Sequence, residues 1–281
     1  MQTFDTWLNQ ASLLVIAASL FVAMCGAAAV ASLLQHYGPT GRGQPPGADG
    51  ESGQEGYIVS AVLGLLALLL AFTFSLAVDR FDTRRHLVLE EANAIGTAYL
   101  RAQLLPEPHR TRMTQLLVAY TDNRVALAKA APGSATQQQL LRTNDGLITD
   151  IWAATSASFD SIKGLPFSSA YLGSINALID LDASRKTARA ARVPGEVFAI
   201  LFIYLVTTAG VLGYVLRGAR GRFAAAFLLG LLTLSLMLII DIDRPTLGGI
   251  VESQQPMEDL QRSLAAQPPP VFDKWRAQAA Q

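Results

Sequence analysis

The chain of 281 residues is 51% hydrophobic and only 16% charged, a balance that argues against an ordinary soluble domain and favours a membrane protein. Its 22 Lys and Arg residues balance its 22 Asp and Glu residues, so no net charge favours nucleic acid as a partner. The single cysteine, Cys25, excludes an intramolecular disulfide, and its apolar sequence surroundings indicate a packed thiol.

Four segments are apolar enough and long enough, at about 20 residues each, to cross a hydrocarbon layer of about 30 Å. They are residues 11–34, 57–78, 197–216 and 223–240. The first could instead be a signal peptide with Ala27 and Ala29 near its cleavage site, but the leader MQTFDTWLNQ has no Lys or Arg and the apolar stretch is too long. We therefore expect four transmembrane helices.

The segments between the spans differ in character. Residues 37–56 are rich in Gly and Pro, which predicts a flexible exposed loop. Between the second and third spans, more than a hundred residues show a helical period without strand-like alternation, which predicts helices at 108–131, 138–162 and 168–192. In the first of these helices the apolar pattern runs through Met113, Leu116, Leu117, Tyr120 and Leu127. In the second, the expected buried face consists of Leu140, Leu141, Leu147, Ile148, Ile151, Trp152, Thr155, Phe159 and Ile162.

The predicted fold class is an all-α membrane protein with a helical cytoplasmic domain between spans two and three. Residues 1–79 hold the first two spans, 80–196 the helical domain, 197–244 the last two spans, and 245–281 a C-terminal cytoplasmic tail. Orientation follows the excess of Lys and Arg near the membrane ends. The side of the large domain carries Arg80, Arg84, Arg85, Arg185, Lys186, Arg189, Arg192 and Arg244, whereas the other side carries Arg42, Arg217, Arg220 and Arg222. This excess favours a cytoplasmic large domain, although the short hairpin RGARGR argues for the opposite orientation.

The second span runs into charged sequence without a proline. An unbroken helix over residues 57–104 would extend roughly 70 Å, more than twice the hydrocarbon thickness. The charges that follow the span could instead mark an interface at which the helix frays; they are Asp79, Arg80, Asp82, Arg84 and Arg85. Beyond them, Phe81, Val88, Ala92, Ile95 and Tyr99 continue an apolar stripe. We therefore predict one continuous helix that passes from the membrane into the extramembrane domain.

Two neighbouring stripes follow the membrane part of this helix. The small-residue stripe, suited to close helix contact, consists of Ser60, Gly64, Ala67, Ala71 and Ser75. The bulky stripe consists of Leu65, Leu68, Phe72 and Leu76. The bulky stripe either faces lipid or, with several copies around an axis, forms a hydrophobic constriction that gates ions by dewetting.

The fourth span ends in MLIIDIDRP, which places Asp241, Asp243 and Arg244 at the membrane boundary before Pro245 ends the helix. Carboxylates near hydrocarbon need water or a partner. The two aspartates either lie in water at the interface, where they end the span, or pair with Arg80, Arg84 or Arg85 at the mouth of a pore.

Two blocks of sequence carry a resemblance to a known family. FTFSLAVDRFDTRRHLVLEEANAIGTAYLRA at the second span and DIDRPTLGGIVESQQPMEDL after the fourth resemble the bestrophin-like family of bacterial membrane proteins. True bestrophins are more distantly similar: Asp79, Arg80, Phe81 and Arg85 match their motif at the end of span two, whereas Asp82 stands where a tryptophan is expected and Thr83 where an acid is common.

The resemblance to bestrophins implies a pentameric ion channel in the bacterial inner membrane with an apolar neck at Leu68 and Phe72. Gly64 falls where a third bulky residue is usual, which implies a shorter neck. The sequence has no acidic cluster like the eukaryotic calcium clasp, so calcium gating is not implied.

No catalytic constellation stands out in the sequence. His36, His86 and His109 are far apart, and there is neither a phosphate loop nor a dinucleotide fingerprint, so we expect no enzyme, cofactor or metal site. Glu90 and Glu91 are expected to lie on a solvated helix face.

The leading hypothesis is therefore an oligomeric, pentameric ion channel whose partners are the lipid bilayer, further copies of the chain and inorganic ions of undecided sign. Its constriction would be Leu65, Leu68, Phe72 and Leu76, and its mouth would carry Asp79, Arg80, Arg84, Arg85, Asp241, Asp243 and Arg244. The alternative is a non-conducting membrane scaffold or sensor whose helical domain binds a partner.

Overall fold

The computed structural model describes residues 2–37, 49–216, 218–246 and 248–274, and these residues form helices without any strand. In chain order the helices are α1 (Gln2–Gln10), α2 (Leu13–Tyr37), α3 (Asp49–Ala102), α4 (His109–Lys129), α5 (Ala135–Ile162), α6 (Ser168–Ala190), α7 (Gly195–Val215), α8 (Gly218–Asp243) and α9 (Gln255–Ala266), followed by a 3₁₀ turn (Pro269–Asp273). By length and composition, α2, α3, α7 and α8 contain segments able to cross a membrane. The all-α fold with four spans is confirmed.

The long helix predicted from the second span is confirmed as α3, which runs for 54 residues without a break through the charged stretch. It begins at Asp49, eight residues before the predicted span, because the second half of the Gly-rich segment is helical rather than a loop. The remainder of that predicted loop, residues 38–48, lies outside the described residues, as do Arg42 and Arg217 of the charge count.

The chain divides into two compact units, and the first consists of Met1–Phe81 and Arg192–Val251. Its core is apolar and includes Leu20, Leu205 and Leu236, one from each of α2, α7 and α8. Helices α2 and α7 approach closely at Gly213, where a Cβ atom would lie 2.5 Å from the Cα atom of Ala28. Any larger residue at this position would push the backbones of α2 and α7 apart. Close contacts at glycine of this kind are common between membrane helices.

The sequence analysis did not predict α1. This short helix packs on α7 through aromatic side chains: the ring of Phe4 meets that of Phe202 edge-on at 5.6 Å, and Trp7 meets the same ring at 6.4 Å. The residues before the first span therefore form part of the first unit.

The second unit consists of Asp82–Ala191 and Glu252–Gln281. Its core is built from the end of α3 and from α4, α5, α6 and α9, and the large side chains buried in it include Ile95, Tyr120, Ile151 and Tyr171. The apolar stripe predicted on α3 is confirmed, because Val88, Ala92, Ile95 and Tyr99 are all buried.

The predicted buried face of α5 is partly wrong. Ile151, Thr155 and Ile162 are buried as expected, but Leu141, Trp152 and Phe159 are exposed, Trp152 by 48%. The buried face instead includes the small residues Ala154 and Ser158, which allow a closer approach of neighbouring helices than aromatic rings do.

Helix α9 lies in the segment for which the sequence analysis expected only a tail. Its buried residues Met257 and Leu264 belong to the core of the second unit, and Leu260 packs against that core. Polar contacts also hold the segment: Arg110 donates to both carboxylate oxygens of Asp273 at 2.9 Å, and Gln261 donates to Asp122 at 2.7 Å.

Candidate functional site

The bulky stripe on α3 faces away from the protomer. Leu65, Leu68, Phe72 and Leu76 are all exposed, by 38% to 65%, and Phe72 is the most exposed of the four. Exposed apolar side chains on a membrane span face lipid, another chain or a pore. The structure therefore leaves this stripe free for contacts outside the protomer.

A different edge of α3 packs inside the first unit. Leu66, Leu70, Thr73 and Ala77 recur at three and four residue steps and are buried. The hydroxyl of Thr73 is satisfied within the helix, because it donates to the backbone carbonyl of Leu69 at 2.8 Å. The sequence analysis did not single out this edge, although it lies on the same helix as the two stripes that it did.

The small-residue stripe is also exposed. This holds for all five members, Ser60, Gly64, Ala67, Ala71 and Ser75. A Cβ atom on Gly64 would meet no atom within 4 Å, so nothing in the protomer requires a glycine there. Close packing of this stripe against a helix of another chain stays a prediction.

Beyond the bulky stripe, the exposed face of α3 becomes polar. Asp79, His86 and Asn93 are exposed, and Nε2 of His86 lies 3.1 Å from Oε1 of Glu90. Of the three arginines predicted at a pore mouth, Arg85 is exposed, Arg80 is half-buried and Arg84 is buried.

The charged end of α8 organises the chain around it. Oδ1 of Asp243 accepts a hydrogen bond from the backbone N–H of Val193 at 3.0 Å, and Oδ1 of Asp241 accepts one from Gly249 at 2.6 Å. Arg244 is buried and donates to the backbone carbonyl of Leu8, which ties the end of α1 to the end of α8.

Basic side chains balance these two carboxylates. Arg192 interacts electrostatically with Asp243, and Arg244 interacts with both Asp241 and Asp243. The two carboxylates are thus partnered within the first unit, as acids near hydrocarbon require. The predicted pairing with Arg80, Arg84 or Arg85 stays a prediction.

The expectation that Glu91 lies on a solvated helix face is wrong. Its side chain is fully buried, and Oε1 accepts a hydrogen bond from the hydroxyl of Tyr120 at 2.6 Å. Oε2 accepts from the guanidinium of Arg124 at 3.1 Å and from that of Arg185. Glu91 therefore joins α3 to α4 and α6 in the interior of the second unit.

Asp182 on α6 is the second buried carboxylate of this cluster. It accepts a hydrogen bond from the amide nitrogen of Asn144 at 2.9 Å and lies 3.6 Å from Arg124. We call the six side chains the Glu91 network: Glu91, Tyr120, Arg124, Asn144, Asp182 and Arg185. Two carboxylates meet two guanidinium groups, so these six side chains carry no net charge and the buried charges are paired. The partly exposed Lys186 also pairs with Asp182, at 2.7 Å.

The network continues into the segment before α9. Arg185 donates to the side-chain oxygen of Gln254 at 3.2 Å, and Arg189 forms an ion pair with buried Glu252 at 2.9 Å. The chain that follows the last span is thus attached to α6 by two arginines one helical turn apart.

Burial and charge fix the protonation states in the network. Burial raises the pKa of Tyr120 well above its ordinary value, and Glu91 beside it raises it further. Burial lowers the pKa of Arg124, but the charge of Glu91, with Tyr120 and Asp182, more than compensates and leaves the pKa raised. At neutral pH the tyrosine is therefore a hydrogen-bond donor and the arginine a cation.

Among the described residues, no group of three or more His, Cys, Asp or Glu side chains is arranged to hold a metal ion. The described residues thus provide two features. One is the compensation of buried charges inside the second unit, and the other is an exposed face of α3 that is apolar at first and polar further along the helix.

Comparison with known proteins identifies related chains. The model of the Bestrophin-like domain matches residues 22–257. A solved structure of a bacterial bestrophin homologue from Klebsiella pneumoniae is 16% identical, with a TM-score of 0.64 over 89% of this chain and 97% of that chain. A variant of the homologue from the same organism, also 16% identical, has a TM-score of 0.62 over 92% of this chain and 97% of that chain. At this level of identity the structural matches show a shared fold. No protein of curated function matches the sequence significantly.

Proposed function

The chain belongs to the Bestrophin-like family, and we propose that it assembles as a pentamer into an ion channel whose neck is formed by α3. The observation that carries this proposal is the exposure of Leu65, Leu68, Phe72 and Leu76 on a span that packs within its own protomer through a different edge. Side chains left free in the protomer are those that copies around an axis can bring together.

The polar continuation of the same helix supports a pore rather than a lipid-facing stripe. Seven residues after Phe72, two helical turns further on, the exposed residue is Asp79. A face that is apolar for a short distance and then carries charge suits a narrow dewetted neck that opens into a wider aqueous vestibule.

The exposed small residues beside the bulky stripe support the assembly. Ser60, Gly64, Ala67 and their neighbours permit close approach of another helix, so α3 helices from adjacent copies can pack around the axis while the bulky stripe faces it.

Flux of inorganic ions through the purified protein in liposomes tests the neck. We expect Leu68→Ala and Phe72→Ala to raise the flux, because a wider and less apolar constriction is easier to wet. The matched controls are Leu231→Ala and Phe227→Ala on α8: Phe227 is 63% exposed and Phe72 is 65% exposed, so each removes a comparably exposed side chain from a span. We expect both controls to conduct as the wild type does.

The possible results separate the parts of the proposal. A wild-type protein that conducts, with Leu68→Ala and Phe72→Ala unchanged, would refute the neck. A wild-type protein without flux, found by native mass measurement to be a dimer without a central axis, would refute the channel and favour the scaffold or sensor. Five copies of the 30.0 kDa protomer would support the ring.

We also propose that the protein is a multi-pass protein of the bacterial inner membrane with the second unit in the cytoplasm. The support is the excess of Lys and Arg on that side in the sequence. A reporter fused after Gln281 that is active only in the periplasm should be silent, and an active reporter would reverse the orientation.

A further inference from the structure

An apolar groove follows one side of α7 in the first unit. It has a volume of about 490 Å³, and its lining consists of Ile58 on α3 together with Thr207, Gly210, Val211, Tyr214 and Val215 on α7. The α7 residues recur at three and four residue steps, so they share one face of the helix. Ligand pockets in proteins have volumes of about 300–1,000 Å³, so the groove has room for part of a bound molecule.

The dimensions of the groove match one leaflet of a membrane. From Thr207 to Val215 it extends about 12 Å along α7, at 1.5 Å per residue. The hydrocarbon of one leaflet is about 15 Å thick, half of the bilayer core. The groove occupies the last two turns of α7, and Tyr214 in these turns is 42% exposed and of a residue type favoured at membrane interfaces. An acyl chain of one leaflet therefore lies at the depth of the groove.

The turn between α7 and α8 places two arginines beside the end of this groove. A Cβ atom on Gly221 would lie 3.1 Å from the carbonyl carbon of Leu216, the residue that follows the last groove residue, Val215. The start of α8 thus lies against the end of α7. Arg220 and Arg222 flank Gly221 in the sequence, and both are exposed. They therefore lie where the two spans reach the surface of the hydrocarbon.

Positive charge dominates this turn. Residues 197–240, which include the turn and the apolar parts of both spans, contain no Asp or Glu. Among the side chains that the structure describes, neither Arg220 nor Arg222 forms an ion pair. The carboxylates that compete for them belong to the start of α3, ahead of the groove residue on that helix; they are Asp49, Glu51 and Glu55.

We propose that the groove and the two arginines form a binding site for an anionic phospholipid, with an acyl chain in the groove and the phosphate at Arg220 and Arg222. A guanidinium group binds a phosphate through two parallel hydrogen bonds, and it stays charged at every physiological pH. Basic residues at a membrane surface attract anionic headgroups in preference to zwitterionic ones. The turn thus selects the headgroup, whereas the groove covers the chain with apolar side chains.

Native mass spectrometry of the purified full-length protein tests the proposal. The protein in detergent is titrated with phosphatidylglycerol, which is anionic, or with phosphatidylcholine, which is zwitterionic and carries the same acyl chains. We expect the wild type to bind phosphatidylglycerol more tightly. An arginine near an anionic headgroup strengthens binding roughly fivefold, so Arg220→Gln combined with Arg222→Gln should weaken phosphatidylglycerol binding roughly thirtyfold and leave phosphatidylcholine binding unchanged.

A second variant tests the groove. A Cβ atom on Gly210 meets nothing within 4 Å, so Gly210→Leu places its side chain in the groove and should remove most of the binding of both lipids. Its matched control is Gly230→Leu on α8, where a Cβ atom also meets nothing within 4 Å.

The control for the arginines removes two exposed arginines from the second unit, Arg112→Gln combined with Arg142→Gln. This double variant and Gly230→Leu should bind both lipids as the wild type does. Inorganic phosphate, compared with chloride at equal ionic strength, should not displace phosphatidylglycerol, because it has no acyl chain to fill the groove.

Each other outcome overturns the proposal. Equal binding of the two lipids by the wild type is the result expected if the acids of α3 already neutralise the arginines. Unchanged phosphatidylglycerol binding after loss of both arginines excludes the headgroup site, and displacement by inorganic phosphate indicates a site for a free anion. If Gly210→Leu keeps its lipid but lowers the mass of the assembly, the groove holds a second copy of the chain. Because the arginines are exposed, their replacement should leave the melting temperature unchanged.

Discussion

Replacing Glu91 with glutamine tests the role of the buried network most directly. Glutamine has nearly the same shape but no charge, and one of its two oxygen positions becomes a donor. Tyr120 donates to Oε1, whereas Arg124 and Arg185 donate to Oε2, so the amide nitrogen would face either the tyrosine hydroxyl or the two guanidinium groups. Asp182, which pairs with Arg124 at 3.6 Å and with Lys186 at 2.7 Å, would then be the one carboxylate left among the six side chains of the network.

The expected loss follows from the burial of Glu91, whose side chain is fully inaccessible. Removing one partner of a buried ion pair costs about 3–5 kcal/mol, because the other charge remains buried without compensation. For a unit of this size such a loss lowers the melting temperature by roughly 10–15 °C. Thermal unfolding of the full-length protein in detergent, followed by intrinsic fluorescence, measures it.

The neighbouring residue provides the control. Glu90→Gln removes the same charge one position earlier, but Glu90 is partly exposed and its partner His86 is mostly exposed, so we expect a change of at most about 0.5 kcal/mol. Equal melting temperatures for the Glu90→Gln and Glu91→Gln variants would refute the reasoning.

A double variant checks the cause. Glu91→Gln combined with Arg185→Met removes one acid and one base, and the remaining guanidinium of Arg124 keeps its partner Asp182 at 3.6 Å. We therefore expect the double variant to recover at least half of the stability lost in Glu91→Gln, since replacing both charges of a buried pair is often nearly neutral. If the stability losses of Glu91→Gln and Arg185→Met simply add in the double variant, the loss in Glu91→Gln is not caused by an unpaired charge.

Three further predictions concern other parts of the fold. Because the pKa of Tyr120 is raised in the folded state, its contribution to stability is complete below about pH 10 and is lost as pH rises through the folded-state value; Tyr120→Phe should weaken this alkaline loss in pH-dependent unfolding. Gly213→Val should lower the yield of folded protein and its melting temperature, whereas Gly210→Ala, where a Cβ atom meets nothing within 4 Å, should change neither. Asp273→Asn should weaken the contact in which one guanidinium nitrogen of Arg110 donates to both carboxylate oxygens, and should raise amide hydrogen exchange over the C-terminal segment. Unchanged exchange would show that this contact does not hold the segment in place.

The sequence predicted the course of α3 because its apolar stripe continues past the charges. The position of this stripe also distinguishes Glu90 from Glu91, although the sequence analysis expected both glutamates on a solvated face. Glu91 lies three residues after Val88 and four before Ile95, on the buried side, whereas Glu90 is turned by about 100° from it. A glutamate on an apolar stripe is a signal of a buried partner, and Arg124 and Arg185 could not be identified as those partners without the packing of α4 and α6.

Two other features were missed for different physical reasons. Helix α9 has a readable signal, because Met257, Leu260 and Leu264 recur at helical steps, but charged and polar neighbours make the segment look like a tail. The buried face of α5 had no such signal. Small residues such as Ser158 are buried there while Trp152 is exposed, so hydrophobicity alone gives the wrong face.

The pattern of charge on α3 bears on whether its bulky stripe faces lipid or a lumen. Where a lipid-facing helix leaves the hydrocarbon, Trp, Tyr, Lys and Arg are the favoured residues, because their long or amphipathic side chains reach the headgroups. On the face that contains Phe72, the first ionisable residue after it is instead Asp79, two helical turns further along. A short carboxylate cannot extend far toward water, and next to lipid it would lose much of its hydration. Lining the aqueous vestibule of the proposed channel would leave it hydrated, so this pattern of residues favours a lumen over lipid.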